Sequence, residues 1–149
     1  PLFLVAGDGP LRGGLQARID AAGLPVRLLG ARDDIADLLP AAHALVVPSR
    51  WEGQPLAVQE ALRAGRPVIA TAVGGIPALV GDAGLLVPPG DAAALRDAID
   101  RLLGDEALAA ALARRAARRE LPDADQALDA VCQVYAGLER TGPPAADPR

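Results

Sequence analysis

The feature that most limits the fold is a helix between two short apolar runs in the middle of the chain. Residues 44–47 and 67–70 are continuous apolar runs of the length of buried strands. Between them, residues 56–64 carry apolar side chains at helical spacing; Pro55 suits the first position of a helix, and Gly65 can end it. This order predicts a unit of parallel sheet, in which ligands bind at the loops that leave the carboxyl ends of the strands.

Apolar runs near residues 2, 26 and 84 extend the alternation over most of the chain. Five strands alternating with helices predict an α/β fold, a parallel sheet covered by helices on both faces, with right-handed crossovers. We expect one domain over residues 1–140 and a Pro- and Ala-rich disordered tail over residues 141–149. Helices are predicted over about residues 11–22, 35–42, 55–64, 76–80, 91–104, 105–120 and 125–139, with Pro122 breaking the last two apart.

Composition narrows the class of protein. The net charge of −4 argues against a nucleic-acid-binding surface, because such domains are usually basic. Cys132 is the only cysteine, which excludes an internal disulfide and a thiolate metal cluster. The sequence contains no apolar run of about 18 residues, so we expect no segment of it to span a membrane, and no signal peptide is visible. We expect a cytoplasmic protein.

Two acidic residues, Glu52 and Glu60, lie around the start of the central helix. Glu52 fits a capping box with Ser49, but that box would put Pro55 inside the helix, where it is costly. We therefore place Glu52 in the loop before the helix. Periodicity alone favours Glu60 as a solvated residue paired with Arg63 at i, i+3.

Glycines also precede the first predicted helix, at Gly7, Gly9 and Gly13. Their G-x-G-x-x-x-G spacing departs from the dinucleotide fingerprint, and no acidic residue ends the next strand to bind a ribose. These two departures argue against NAD binding. In the loop after that strand, Asp33 or Asp34 is suited to cap the second helix.

A basic stripe lies on the sixth predicted helix, where four arginines are spaced at i, i+1, i+4 and i+5. We favour a solvated helix face, because charged runs on helices usually face water. Contact with an acceptor or a lipid surface is the alternative. The four residues are Arg114, Arg115, Arg118 and Arg119.

The central stretch resembles the group 1 (glycogen-synthase-like) retaining glycosyltransferases of GT-B fold. The resemblance rests on an ordered string: Pro48-Ser49, then Glu52 and Glu60 in an E-x7-E spacing, then EALRAGRPVIAT and VGG. It implies the C-terminal, donor-binding half of a GT-B enzyme, in which two Rossmann-like domains face each other across a cleft. The implied reaction is transfer of a sugar from a nucleotide diphosphate sugar to an acceptor, with retention and without a metal or other cofactor.

The same resemblance assigns roles to individual residues. Glu52 is expected to be catalytic, stabilising an oxocarbenium-like transition state, and Glu60 to accept hydrogen bonds from the ribose hydroxyls. Backbone N–H groups before the central helix are expected to face the diphosphate or the sugar. The loop from Ala31 to Asp34 is expected to hold the base. The substrate-binding residues are Gly7, Gly9, Ala31, Arg32, Asp34, Gly53, Gln54, Pro55, Leu56 and Glu60.

The resemblance also implies parts that this sequence does not contain. Related enzymes bind the diphosphate with an Arg and a Lys that precede the region matching Pro1, and they carry an N-terminal acceptor-binding domain. We therefore expect the chain alone to bind its donor weakly and to transfer nothing. The full-length enzyme is expected to contact the inner face of the membrane peripherally. Two alternatives remain: a sugar-nucleotide epimerase of related fold, and a non-catalytic domain that binds a partner.

Overall fold

The computed structural model describes residues 1–121 and 124–140. Every strand and helix predicted within these residues is present, and the ends agree within about three residues. Pro122 and the tail over residues 141–149 lie outside the described residues, so those predictions remain predictions. The elements are β1 (Phe3–Ala6), α1 (Arg12–Ala22), β2 (Val26–Gly30), α2 (Ile35–Ala41), β3 (Leu45–Val47), α3 (Leu56–Arg63), β4 (Val68–Thr71), α4 (Ile76–Val80), β5 (Gly84–Val87), α5 (Ala92–Gly104), α6 (Glu106–Ala117) and α7 (Ala124–Arg140).

The five strands are hydrogen-bonded as two parallel sheets. β1 pairs with β2, and β4 lies between β3 and β5. The α/β class and the parallel pairing are therefore confirmed, although the strands do not form the single five-stranded ladder that we expected. β3 is three residues long, and all three pair with β4.

Helices cover both faces of the sheet formed by β3, β4 and β5, as predicted. β4 is buried along its length, and its side chains alternate between two hydrophobic clusters of the core. Val68 and Ala70 belong to the first cluster, and Ile69 belongs to the second. α3 and α4 supply most of the first cluster, and α5 packs against the second. α6 contributes to both, through Ala116 and Leu112 respectively.

The β1–β2 sheet is less covered. Leu4 in β1 is 52% exposed, and Ile19 is the one buried residue of α1. A second apolar surface lies on α7, whose large exposed apolar side chains are Leu128, Val131, Val134 and Tyr135. The cover on both faces that we predicted therefore extends over β3 to β5 and does not reach β1.

Local capping explains where three of the helices begin. Asp91 and Asp105 each accept a hydrogen bond at 2.9 Å from the backbone N–H three residues later, which fixes the first turns of α5 and α6. Pro55 is the N-cap of α3, whereas we predicted it to be the first residue of the helix. Its carbonyl accepts the hydrogen bond of Val58 at 3.2 Å, so the helix starts where the proline ring already fixes φ near −65°.

Candidate functional site

Glu52 lies in the loop between β3 and α3, as predicted. Because α3 begins at Leu56, Glu52 is outside the helix and does not complete a capping box. The Oγ of Ser49 instead donates a hydrogen bond to Oε1 of Glu52 at 2.8 Å, and the glutamate is partly buried. The S-x-x-E pattern therefore orients a carboxylate within the loop.

Thr71 in turn fixes the position of Ser49. Thr71 ends β4, is 3% exposed, and its Oγ1 donates to the carbonyl oxygen of Ser49 at 2.5 Å. Two hydrogen bonds thus connect the central strand of the sheet to the carboxylate of Glu52. Sequence analysis assigned no role to Thr71; the available signal was a hydroxyl at the end of an otherwise apolar strand.

The glycine loop after β4 packs directly against the Glu52 loop. The N–H of Gly75 donates to the carbonyl oxygen of Gly53 at 2.9 Å. A Cβ on Gly74 would lie 1.7 Å from the carbonyl oxygen of Glu52, and one on Gly75 would lie 2.4 Å from that of Gly53. Gly74 also has φ of +52°, which favours glycine. These contacts join the loops at the carboxyl ends of β3 and β4 into one unit.

The N-terminus of α3 is open to an anion. No side chain caps it, and Gly53, Gln54 and Leu56 are exposed. The first N–H groups of a helix have no partners within the helix, and the helix dipole favours negative charge near them. The loop therefore offers backbone donors beside the carboxylate of Glu52, an arrangement suited to an anionic group next to a developing positive charge.

Glu60 lies one turn after Leu56, and its side chain is exposed. The solvated interpretation and the ribose-binding interpretation both require an exposed carboxylate, and Glu60 meets that requirement. It is separated from Glu52 by the first turn of α3, so the two carboxylates can contact different parts of one ligand.

A second group of predicted site residues lies at the carboxyl end of the β1–β2 pair. The N–H of Gly7 donates to the carbonyl oxygen of Gly30 at 2.7 Å, which joins the glycine loop to the loop after β2. The side chain of Arg12 lies against Gly30 and donates to the carbonyl oxygen of Leu28 at 3.3 Å. Sequence analysis did not single out Arg12. This group contains Gly7, Gly9, Ala31, Arg32 and Asp34.

Arg32 and Asp34 form an ion pair within this group. Nε of Arg32 donates to Oδ1 of Asp34 at 2.7 Å, and Nη2 donates to Oδ2. Asp34 lies at the N-cap of α2, where we placed it, but its side chain caps no N–H group. The hydrogen bond from Arg32 lowers the pKa of Asp34, and the same bond raises the pKa of Arg32. The carboxylate thus holds the arginine that was predicted to contact the base.

The structure therefore brings the predicted residues together as two groups. One surrounds Glu52 and the start of α3, and the other surrounds Gly7 and Asp34. No hydrogen bond or ion pair between described residues joins the two groups. Each group lies at the carboxyl ends of parallel strands, where ligands of α/β proteins bind.

Two further properties concern metals and membranes. Over residues 1–121 and 124–140, no three His, Cys, Asp or Glu residues form a group that could hold a metal ion. The metal independence expected from the resemblance remains a prediction. Among the described helices, none is both long enough and apolar enough to cross a membrane.

Comparison with known families now defines the class of protein. A family model for the glycosyl transferases of group 1 matches residues 2–105, which contain both groups of site residues. The chain belongs to this family, and its α/β fold is that of the GT-B glycosyltransferases among its structural neighbours.

Individual relatives agree with this assignment. Alpha-D-kanosaminyltransferase of Streptomyces kanamyceticus is 34% identical over 144 residues, which are 93% of this chain and 37% of the relative. The 2-deoxystreptamine N-acetyl-D-glucosaminyltransferase of Streptomyces fradiae is 36% identical over 82% of this chain and 30% of its own length. The chain thus spans less than two fifths of either relative.

Solved structures give the same result. Sucrose-phosphate synthase of Thermosynechococcus elongatus superposes with a TM-score of 0.77 and 34% identity, over 93% of this chain and 39% of that one. Anabaena HepE in complex with UDP has a TM-score of 0.72 and 29% identity, over 78% of this chain and 35% of that one. HepE is also known in complex with UDP-glucose.

Gly74→Ala is expected to displace the Glu52 loop, because its Cβ would overlap the carbonyl oxygen of Glu52. The strain should lower the free energy of unfolding by about 1–3 kcal/mol. Trp51, the only tryptophan, directly precedes Glu52 and is 81% exposed, so its fluorescence reports on this loop. Gly104→Ala is the control, since its Cβ would have no neighbour within 4 Å. A free energy of unfolding of Gly74→Ala equal to that of the wild type would contradict the contact.

The Arg32–Asp34 pair gives a dependence on pH with a defined sign. Because the pKa of Asp34 is lowered in the folded protein, the pair is complete above the ordinary aspartate pKa and is lost as the pH falls through the lowered value. In a carbon NMR titration, the Asp34 carboxyl should titrate below about 3.9, the value of an unperturbed aspartate. Arg32→Gln should raise this midpoint, whereas Arg101→Gln on α5 should leave it unchanged. Equal midpoints in all three proteins would argue against the pair.

Proposed function

We propose that this chain is the donor-binding domain of a retaining glycosyltransferase that uses a nucleotide diphosphate sugar. The main support is the fixed position of Glu52 beside the uncapped N-terminus of α3. A similar structure, that of HepE, holds UDP or UDP-glucose. A nucleotide diphosphate sugar combines an anionic group with a sugar carbon that becomes positive during transfer, and this loop has groups suited to both.

Each part of the proposed donor has a counterpart in the site. The diphosphate or the sugar binds the N–H groups of the loop from Gly53 to Leu56. The ribose hydroxyls donate to Glu60, and the base lies against Ala31 and Arg32, with Arg32 held by Asp34. The loop with Gly7 and Gly9 borders the base through its hydrogen bond to Gly30.

In the proposed reaction, the bond between the sugar C1 and the diphosphate oxygen breaks, and its electron pair leaves with the diphosphate. An acceptor hydroxyl oxygen forms the new bond to C1, and its proton passes to the departing diphosphate. The carboxylate of Glu52 stabilises the positive charge that develops on the sugar ring between these two events. Its hydrogen bond from Ser49 holds one oxygen in place before the charge develops.

The acceptor and its binding domain belong to the proposal as well. The relatives are about three times as long as the part that this chain matches, which is 37% of one and 30% of the other. We propose that an N-terminal domain supplies the acceptor site, the cations for the diphosphate and the peripheral contact with the cytoplasmic face of the membrane. Titration of the purified chain with UDP and UDP-glucose by calorimetry tests the donor part, and absence of binding to every nucleotide diphosphate tried would refute it.

Glu60→Gln keeps the shape of the side chain and removes its charge. The dissociation constant of UDP should rise by about tenfold to a hundredfold, with little change in thermal stability. The ribose assignment is tested by repeating the titration with 2′-deoxy-UDP, which should bind the wild type more weakly. The difference in affinity between wild type and Glu60→Gln should then be smaller for 2′-deoxy-UDP than for UDP, because the contact with the 2′-hydroxyl is already lost. Glu106→Gln, on the exposed first turn of α6, is the matched control. Equal UDP affinity of Glu60→Gln and wild type would leave Glu60 as a surface residue.

Glu52→Gln should separate catalysis from binding. The substitution removes charge beside the transferred sugar, so kcat should fall by about a hundredfold or more while UDP affinity changes little. The measurement needs an enzyme of the relatives' full length, with kcat taken from initial rates and affinity from calorimetry. Normal kcat together with weakened UDP binding would reverse the roles assigned to Glu52 and Glu60.

A further inference from the structure

Arg119, two residues after the end of α6, caps the C-terminus of α4. Its Nε donates to the carbonyl oxygen of Leu79 at 3.0 Å, and its Nη2 donates to that of Ala78. Carbonyls in the last turn of a helix lack partners within the helix, and a cation there also complements the helix dipole. The guanidinium therefore satisfies two acceptors of α4 at once.

The chain after α4 is shaped to admit this side chain. Gly81 has φ of +54° and ψ of −121°, and a Cβ on it would lie 2.8 Å from Cζ of Arg119. The guanidinium therefore lies against bare backbone, where no other residue type leaves room. This close fit fixes α6 against the end of α4.

Arg115, one turn earlier on α6, binds the same segment at a different point. Its Nη1 donates to the carbonyl oxygen of Asp82 at 3.2 Å, and its Nε lies 3.5 Å from Oδ2 of Asp82. The sequence favoured a solvated face for all four arginines of the basic stripe. That interpretation is wrong for Arg119, which is partly buried, and Arg115 is exposed but attached to the turn.

The other end of α4 forms the contact with the Glu52 loop. Gly75 is the N-cap of α4 and donates to the carbonyl oxygen of Gly53. Between its two ends the helix is five residues long, and Ile76, Leu79 and Val80 are buried. A movement of either end must therefore move the other.

A cavity of about 210 Å³ lies along this helix. Gln54 and Gly75 line it at the end near the Glu52 loop, and Arg119 lines it at the opposite end of α4. The cap and the proposed donor loop thus border one space.

We propose that Arg119 is a positioning residue for the donor site. By capping α4 it sets the position of Gly75, and Gly75 sets the position of Gly53 and Glu52. The part of this proposal that concerns donor binding rests on the proposed function, whereas the part that concerns the loop does not.

The experiment compares three variants: Arg119→Ala, Arg119→Lys and Arg115→Ala. Arg115→Ala is the matched control, because it removes a guanidinium that binds Asp82 after α4 but leaves the carbonyls of Ala78 and Leu79 bound to Arg119. Each protein is measured for its thermal midpoint, for quenching of Trp51 fluorescence by acrylamide, and for UDP affinity by calorimetry. Quenching and UDP affinity are measured at a temperature at which every protein is folded.

Arg119→Ala should bind UDP about tenfold more weakly and change the quenching of Trp51, because the loop shifts with α4. Arg119→Lys keeps one cation without the planar fork, so its UDP affinity and quenching should lie between those of Arg119→Ala and wild type. Arg115→Ala should lower the thermal midpoint only. Arg119→Lys also keeps the test usable if Arg119→Ala does not fold.

Arg119 is a purely structural cap if its variants lower the thermal midpoint but leave Trp51 quenching and UDP affinity at wild-type values. The same conclusion follows if Arg115→Ala changes all three quantities as strongly. If the wild type binds no UDP, the proposed function fails, and Trp51 quenching alone decides whether Arg119 positions the loop.

Discussion

The candidate site depends on one contact between two stretches of backbone, Gly74-Gly75 and Glu52-Gly53. The approach is so close that neither glycine could carry a side chain. It connects loops that leave neighbouring strands, so the sheet itself sets the distance between them. The hydrogen bond from Gly75 to Gly53 uses backbone atoms only, so it does not depend on which side chains of the loop contact a sugar.

Side chains then orient the carboxylate within this backbone frame. Thr71 is buried at the end of the central strand, and its bond to Ser49 places the donor that holds Glu52. A preoriented carboxylate needs little reorganisation when positive charge develops near it, which is the condition for electrostatic catalysis. Glu60, in contrast, lies on the exposed surface of α3. The two glutamates of one motif thus differ in how firmly the structure holds them, which agrees with one acting in the transition state and the other in binding.

Apolar spacing and the positions of glycine and proline were enough to predict the helices and strands. Contacts between residues distant in sequence could not be predicted in this way. The position of Glu52 outside the helix followed from Pro55, since a proline is costly inside a helix. The apolar runs did not predict the division of the strands into two sheets. The hydrophobic pattern of a strand is the same whether it pairs with one neighbouring strand or with two. Thr71 was missed for a related reason: its partner, Ser49, lies on another strand's loop. Arg119 was misread as solvated because its acceptors are backbone carbonyls, which no sequence pattern reveals.

The short helix α4 illustrates why such distant contacts matter. Five residues are far too few for a helix to be stable by itself, so its direction must come from what holds its ends and its buried face. The sheet and α3 hold the buried face, the Glu52 loop holds the start, and Arg119 holds the end from about forty residues away in the chain. The position of α4 is therefore set by these contacts and not by the helix itself. The geometry of the proposed donor loop is therefore a property of the whole three-stranded unit and its helices, and a change at Arg119 alters the position of Glu52 without touching the ligand.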